Sequence, residues 1–143
     1  MRASAFWDTS ALVPLCVRQS ISAHVIELYK TYAVVAWWAA PVEVASALTR
    51  LKRMRQLSSE DYAKARRLAQ TVADSWVVIE PSNALRAKAT ELLERHDLRA
   101  ADSFQLAAAL EWCETAPQGR VFLTADDKLR DAALVQGFDA LTI

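Results

Sequence analysis

Short apolar runs alternate along the chain with longer segments of helical period. Ala3–Trp7 is an unbroken apolar-rich run that reads as a buried strand. Residues 21–32 read as a helix, and residues 34–38, rich in Val and Trp, as a second strand. Pro41 suits the first turn of a helix that runs to about Met54. Val44, Leu48 and Leu51 recur there at spacings of four and three and make one apolar stripe. Ser58 is a good N-cap, with Glu60 and Asp61 in the first turn. Tyr62, Ala65, Leu68, Ala69 and Val72 continue that helix. Residues 76–79 read as a third strand, and Pro81-Ser82-Asn83 opens a helix with Leu85, Ala89 and Leu92 on one face. Residues 98–114 contain a further helix, and residues 121–123 form a short strand. A helix over residues 127–136 ends at Gly137, and residues 138–143 form the last strand. Alternating strands and helices predict an α/β domain with a central, mainly parallel sheet of about five strands. In such sheets ligands bind outside the carboxyl ends of the strands, which says where to look for chemistry.

Composition narrows the classes. A chain of 143 residues, 53% hydrophobic, suits one domain over residues 1–143 and is too apolar for disorder. No repeat, linker or low-complexity tract divides it. Its only glycines, Gly119 and Gly137, exclude a dinucleotide-binding or P-loop glycine motif. Seventeen basic residues against seventeen acidic ones remove the simple argument for a nucleic-acid binder, which is a basic chain. Cys16 and Cys113 form no CxxC or zinc pattern and read as reduced core thiols. Charge arrives by Asp8, too soon for a signal peptide's apolar stretch. The most apolar run, residues 33–42, is about half the roughly 20 residues that cross a bilayer. These features predict a cytoplasmic protein with no membrane partner.

The chemistry lies just past the predicted strand ends. Asp8 directly follows the first strand and Asp126 follows the fourth. Glu43 and Asp102 lie near helix starts. Singly, Asp8 and Asp102 suit ordinary N-caps, Glu43 a first-turn acid answering the helix dipole, and Asp126 a turn or cap residue shared with Asp127. Together, four acids fall where an α/β fold brings them to one rim. Clustered carboxylates raise one another's pKa, and a divalent cation relieves the repulsion. An all-oxygen set without His or Cys suits Mg²⁺ or Mn²⁺ rather than zinc. Such sites are a common device for phosphodiester cleavage.

Four segments resemble, in order, the motifs of PIN-domain nucleases. They are Asp8-Thr9-Ser10-Ala11-Leu12-Val13, Pro41-Val42-Glu43-Val44-Ala45-Ser46-Ala47-Leu48, Leu98-Arg99-Ala100-Ala101-Asp102-Ser103-Phe104-Gln105-Leu106-Ala107-Ala108-Ala109 and Phe122-Leu123-Thr124-Ala125-Asp126. Each motif is weak alone; four in order over essentially the whole chain are specific. The group most similar is the VapC-type toxins of toxin–antitoxin pairs. The resemblance implies a three-layer α/β/α fold and Mg²⁺- or Mn²⁺-dependent cleavage of RNA. It implies a cognate antitoxin protein and a homodimer as partners. Asp8, Glu43, Asp102 and Asp126 carry over as the catalytic, metal-binding set, and Ser10 as a hydroxyl supporting it. Gln105, one turn after Asp102, is a candidate to orient that acid or a water, or else a plain helix-surface amide. Many relatives have a Lys in the first helix where this chain has Pro14. Asp127 reads first as a helix cap and second as a ligand.

Residues 50–67 hold seven basic residues against two acidic ones, a net +5. Arg50 lies seven residues after Glu43, on the same helix face, and is the candidate phosphate contact. At least half of this stretch is expected to be a solvated helix face. Trp7, Trp37 and Trp76 are expected in the core, and Trp38 and Trp112 at a surface or interface. His24 and His96 are not expected to be catalytic; His96 is expected to answer a helix C-terminal dipole. Two other readings are a degenerate PIN domain that only binds RNA or acts as a scaffold, and a haloacid-dehalogenase-like phosphatase. The latter wants a second Asp where this chain has Ser10.

Overall fold

Strand parity sorts the core into two halves. In a computed structural model that describes residues 2–143, Phe6, Val35, Trp37 and Phe122 face one side of the sheet. Ala5, Trp7, Val34, Ala36 and Leu123 face the other. The elements run β1 (Ala3–Trp7), α1 (Thr9–Cys16), α2 (Ser22–Thr31), β2 (Tyr32–Trp37), α3 (Ala40–Arg53) and α4 (Ser59–Ala73). They continue β3 (Val77–Ile79), α5 (Asn83–Arg95), α6 (Ala100–Trp112), β4 (Val121–Thr124), α7 (Asp127–Gln136) and β5 (Asp139–Thr142). Helices α1 to α4 cover the Trp7 face, and α5 to α7 the Phe6 face. The result is the expected three-layer α/β/α arrangement, with a sheet that is parallel throughout.

The strand order is β3-β2-β1-β4-β5. Ala5 pairs with Val34 on one side and with Val121 on the other, so β1 is central. The chain leaves β1 for β2 on one flank and later returns to β4 on the opposite flank. The carboxyl ends of β1 and β4 therefore border the crevice where connections diverge, the usual ligand position in such sheets.

Helix α1 is the element that periodicity does not announce. Ala11, Leu12, Val13, Pro14 and Cys16 are all buried, so no polar face marks a period. Pro14 sits inside the helix, where it cannot donate to the Ser10 carbonyl. Its own carbonyl accepts a 2.9 Å hydrogen bond from the Ser22 hydroxyl, which ties the loop after α1 to the start of α2. Other boundaries differ by one or two residues. β2 starts at Tyr32, and Trp76 lies before β3 rather than in it. Trp7, Trp37 and Trp76 are buried, while Trp38 is 54% exposed. Trp112 is half-buried, with the Arg120 guanidinium 5.2 Å above its ring. Cys16 and Cys113 are buried free thiols, and burial pushes the Cys16 thiol up to about 11. Among the described residues no helix is long and apolar enough to cross a membrane.

Gly137 closes α7 in the left-handed region at φ 109°, and its N–H and that of Phe138 return to the Ala133 carbonyl. A Cβ at this position would sit 3.2 Å from Pro117 and from Gln118. Gly137→Ala should therefore lower stability by about 1–2 kcal/mol, read as a lower urea midpoint at unchanged m-value. An unchanged midpoint would mean that the cap relaxes at no cost.

Candidate active site

Asp8 is the N-cap of α1, and its backbone N–H bonds the Leu123 carbonyl of β4 at 3.0 Å. That bond fixes the residue in the crevice between β1 and β4. Its side chain is buried, with Asp8 only 5% exposed. Oδ2 accepts from the Ser10 hydroxyl at 2.5 Å, the Thr124 hydroxyl at 2.8 Å and the Ser10 backbone N–H at 3.3 Å. The two hydroxyls are themselves held. Ser10 Oγ accepts the Ala125 N–H at 2.8 Å, and Thr124 Oγ1 accepts the Asp126 N–H at 3.0 Å. The turn after β4 thus feeds its backbone N–H groups through two hydroxyls to one carboxylate. Burial still dominates: it raises the Asp8 pKa above the usual carboxylate range, against these hydrogen bonds.

Glu43 lies in the first turn of α3. Its Oε1 accepts from Gln105 Nε2 at 2.7 Å and from the Thr9 hydroxyl at 2.9 Å. Gln105 Nε2 also donates to Thr9 Oγ1 at 3.1 Å. Burial raises the Glu43 pKa first, and the charges of Asp8 and Asp102 add to the shift. Asp102 lies in the first turn of α6, three residues after the N-cap Arg99. Its pKa is raised by burial, then by Asp8 and Asp126, and lowered by the Arg99 cation. Asp126 is the exposed N-cap of α7, its Oδ1 accepting the Leu129 N–H at 2.8 Å.

The four acids expected from the sequence thus meet at one edge of the sheet, each close enough to act electrostatically on another. Among the described residues no Lys, Arg or His forms an ion pair with any of them. Three assignments change. Arg99, not Asp102, is the N-cap position of α6, and it makes no side-chain capping hydrogen bond. Asp126, not Asp127, caps α7, because its side chain is the one that reaches back to a first-turn N–H. His96 follows α5 as its C-cap, yet burial and then the Arg95 charge lower its pKa, which disfavours the cation a helix dipole would attract. Its ring instead meets the Gln136 side-chain amide at 2.8 Å.

Gln105 is not a surface amide. It is 1% exposed and holds Glu43, the acid at the start of α3 on the other side of the sheet. Its Oε1 has no partner among the described residues. Arg50 is exposed in the last turn of α3, about 10 Å along the axis from Glu43. Sequence reasoning missed Thr9 as a partner of Glu43 and Thr124 as a partner of Asp8. Both are polar residues beside an acid at a strand end, and that adjacency was the available signal.

The sequence matches the family model of the PIN domain over residues 5–134. The chain belongs to the PIN-domain family. Among solved structures, PAE2754 from Pyrobaculum aerophilum shares this domain's fold with a TM-score of 0.68 and 22% identity. That alignment covers 99% of this chain and 90% of the other. FitAcB from Neisseria gonorrhoeae superposes with a TM-score of 0.63 and 16% identity, covering 94% of this chain and 96% of that one. No curated protein matches this PIN domain.

Raised carboxyl pKa values have a definite sign for stability. The folded state holds these protons more tightly than the unfolded chain. Stability contributed by Asp8, Glu43 and Asp102 is therefore greatest below the ordinary carboxylate range and is lost as pH rises through the raised values. Asp8→Asn should raise the thermal midpoint at neutral pH, by about 2–4 °C for each kcal/mol relieved. The gain should vanish at acid pH, where Asp8 is protonated in both states. Melting curves across pH check this; a gain independent of pH would show that charge burial is not its cause.

Proposed function

We propose that this PIN domain is an endoribonuclease that uses Mg²⁺ or Mn²⁺ to cut RNA phosphodiester bonds, as the toxin of a toxin–antitoxin pair. The observation that carries the reading is a set of four convergent carboxylates, with the pKa values of Asp8, Glu43 and Asp102 raised and no ion pair to any of the four among the described residues. A divalent ion supplies the missing positive charge. The donor chemistry fits a hard ion, since every candidate ligand atom is a carboxylate oxygen. Among the described residues no three His, Cys, Asp or Glu side chains are grouped closely enough to hold an ion as they stand. Binding therefore requires rotamer movement, for which exposed Asp126 and half-buried Asp102 have room.

Asp8, Glu43, Asp102 and Asp126 would hold the ion, which when bound polarises the scissile phosphate and activates water at neutral pH. The remaining residues have positioning work. Ser10 and Thr124 fix Asp8, while Thr9 and Gln105 aim Glu43 into the crevice. No protein nucleophile competes with water: the Ser10 hydroxyl proton is committed to Asp8, and both thiols are buried with raised pKa values. The toxin role, the antitoxin partner and a homodimer rest on the four motifs that resemble VapC-type toxins.

Purified protein should cleave RNA with Mg²⁺ or Mn²⁺ and stop on addition of a chelator. Asp8→Asn should reduce the rate at least about a hundredfold. Mg²⁺ should raise the thermal midpoint of the wild type and not that of Asp8→Asn/Asp102→Asn. Cleavage that survives chelation, or that survives Asp8→Asn, would sink the proposal. RNA binding without any cleavage would favour the degenerate, binding-only domain.

A further inference from the structure

Beside the acids, a cleft of about 620 Å³ opens between the segment before α6 and the start of α7. Asp102 and Asp126 form part of its wall, and Arg99 and Lys128 another part, with Asp97, Leu98 and Ala101 completing it. Both cations are exposed. They are near enough that Arg99 acts on Asp102 and Asp126 acts on Lys128. Arg99 forms no ion pair among the described residues. Lys128 Nζ lies 2.8 Å from Asp97 Oδ2, but the two side chains are 71% and 87% exposed. An ion pair so open to water holds its partners weakly and exchanges readily for another anion.

In the basic stretch at residues 50–67, three side chains have contacts away from the acids. Lys52 sits 4.8 Å over the Tyr62 ring, and Lys64 pairs with Glu60 at 3.6 Å. Arg66 lines a separate, mainly apolar pocket with Trp76. Arg99 and Lys128 share this cavity with two of the four acids. A polyanion delivered to four carboxylates is repelled unless cations border its path, and an Arg fork beside a Lys point charge suits adjacent phosphate oxygens.

We propose that Arg99 and Lys128 bind the RNA backbone in this cleft next to the scissile phosphate, with Asp97 holding Lys128 until a phosphate replaces it. The assignment rests on the nuclease reading above. Its test uses the Asp8→Asn protein with Mg²⁺ and a labelled random-sequence single-stranded RNA pool, read by fluorescence anisotropy. Arg99→Gln and Lys128→Gln should each weaken binding about tenfold. Each should also flatten the salt dependence by about 0.7 in the log–log slope. Asp97→Asn should tighten binding, and Lys30→Gln, on the distant α2, should leave it unchanged. In the cleaving protein the same two variants should raise KM more than they lower kcat. Thermal midpoints of both should match their parent, since the side chains are exposed.

Unchanged affinity in both variants, or a loss confined to Arg50→Gln and Arg53→Gln, overturns the assignment. The two failures are distinguishable. A wild-type protein that neither binds nor cuts RNA removes the nuclease reading and this site with it. A wild type that cuts RNA, is silenced by Asp8→Asn, yet keeps full affinity in Arg99→Gln and Lys128→Gln removes this site alone.

Discussion

A carboxylate buried at the end of a central strand is costly unless donors surround it, and Asp8 organises its surroundings accordingly. Three donors converge on Oδ2, from Ser10 on α1 and Thr124 on β4. Meeting that demand fixes the distance between the first and fourth strands at their carboxyl ends. It also sets the turn that carries Asp126, because the acceptors left on Ser10 and Thr124 take the N–H groups of Ala125 and Asp126. The position of one acid therefore determines the placement of another, 118 residues later in the chain.

Parallel topology does the rest. Every strand in this sheet ends on the same edge, so the helices that follow start there. Asp8 and Asp126 are N-caps of α1 and α7, and Glu43 lies in the first turn of α3, each helix following a strand; Asp102 lies in the first turn of α6, which follows α5. Helix N-termini carry partial positive charge and unpaired N–H groups that favour carboxylates. For Asp8 and Asp126, capping is what holds the side chain at the crevice, whereas Glu43 and Asp102 sit in first turns without capping.

This placement explains what could be read from residue order. The strands were legible because their apolar runs are short and bounded, and α3, α4 and α7 because each has a polar face. Helix α1 carries no such contrast and contains Pro14, so only its cap and the motif around it pointed to a helix. The acids were legible as a set because all four follow strands or open helices. Their partners were not. Gln105 reaches Glu43 across 62 positions, and Thr124 reaches Asp8 across 116, pairings that only the packed layers determine. Asp126 and Asp127 were ambiguous for a local reason: both sit at the start of one helix, and the choice depends on which side chain reaches the Leu129 N–H.

The balance of charge follows from the same geometry. A neutral total conceals four acids gathered at one edge and a net +5 stretch at residues 50–67. Acids that raise one another's pKa store repulsion, which the two apolar faces of the sheet must outweigh in the folded state. Removing that repulsion by substitution would be simple for any sequence, since an amide can fill the same space. Yet the hydroxyls of Ser10 and Thr124 and the amide of Gln105 all act to keep carboxylates in place and ionised against burial. The donors around Asp8 and Glu43 thus hold negative charge at the sheet edge that burial alone would remove.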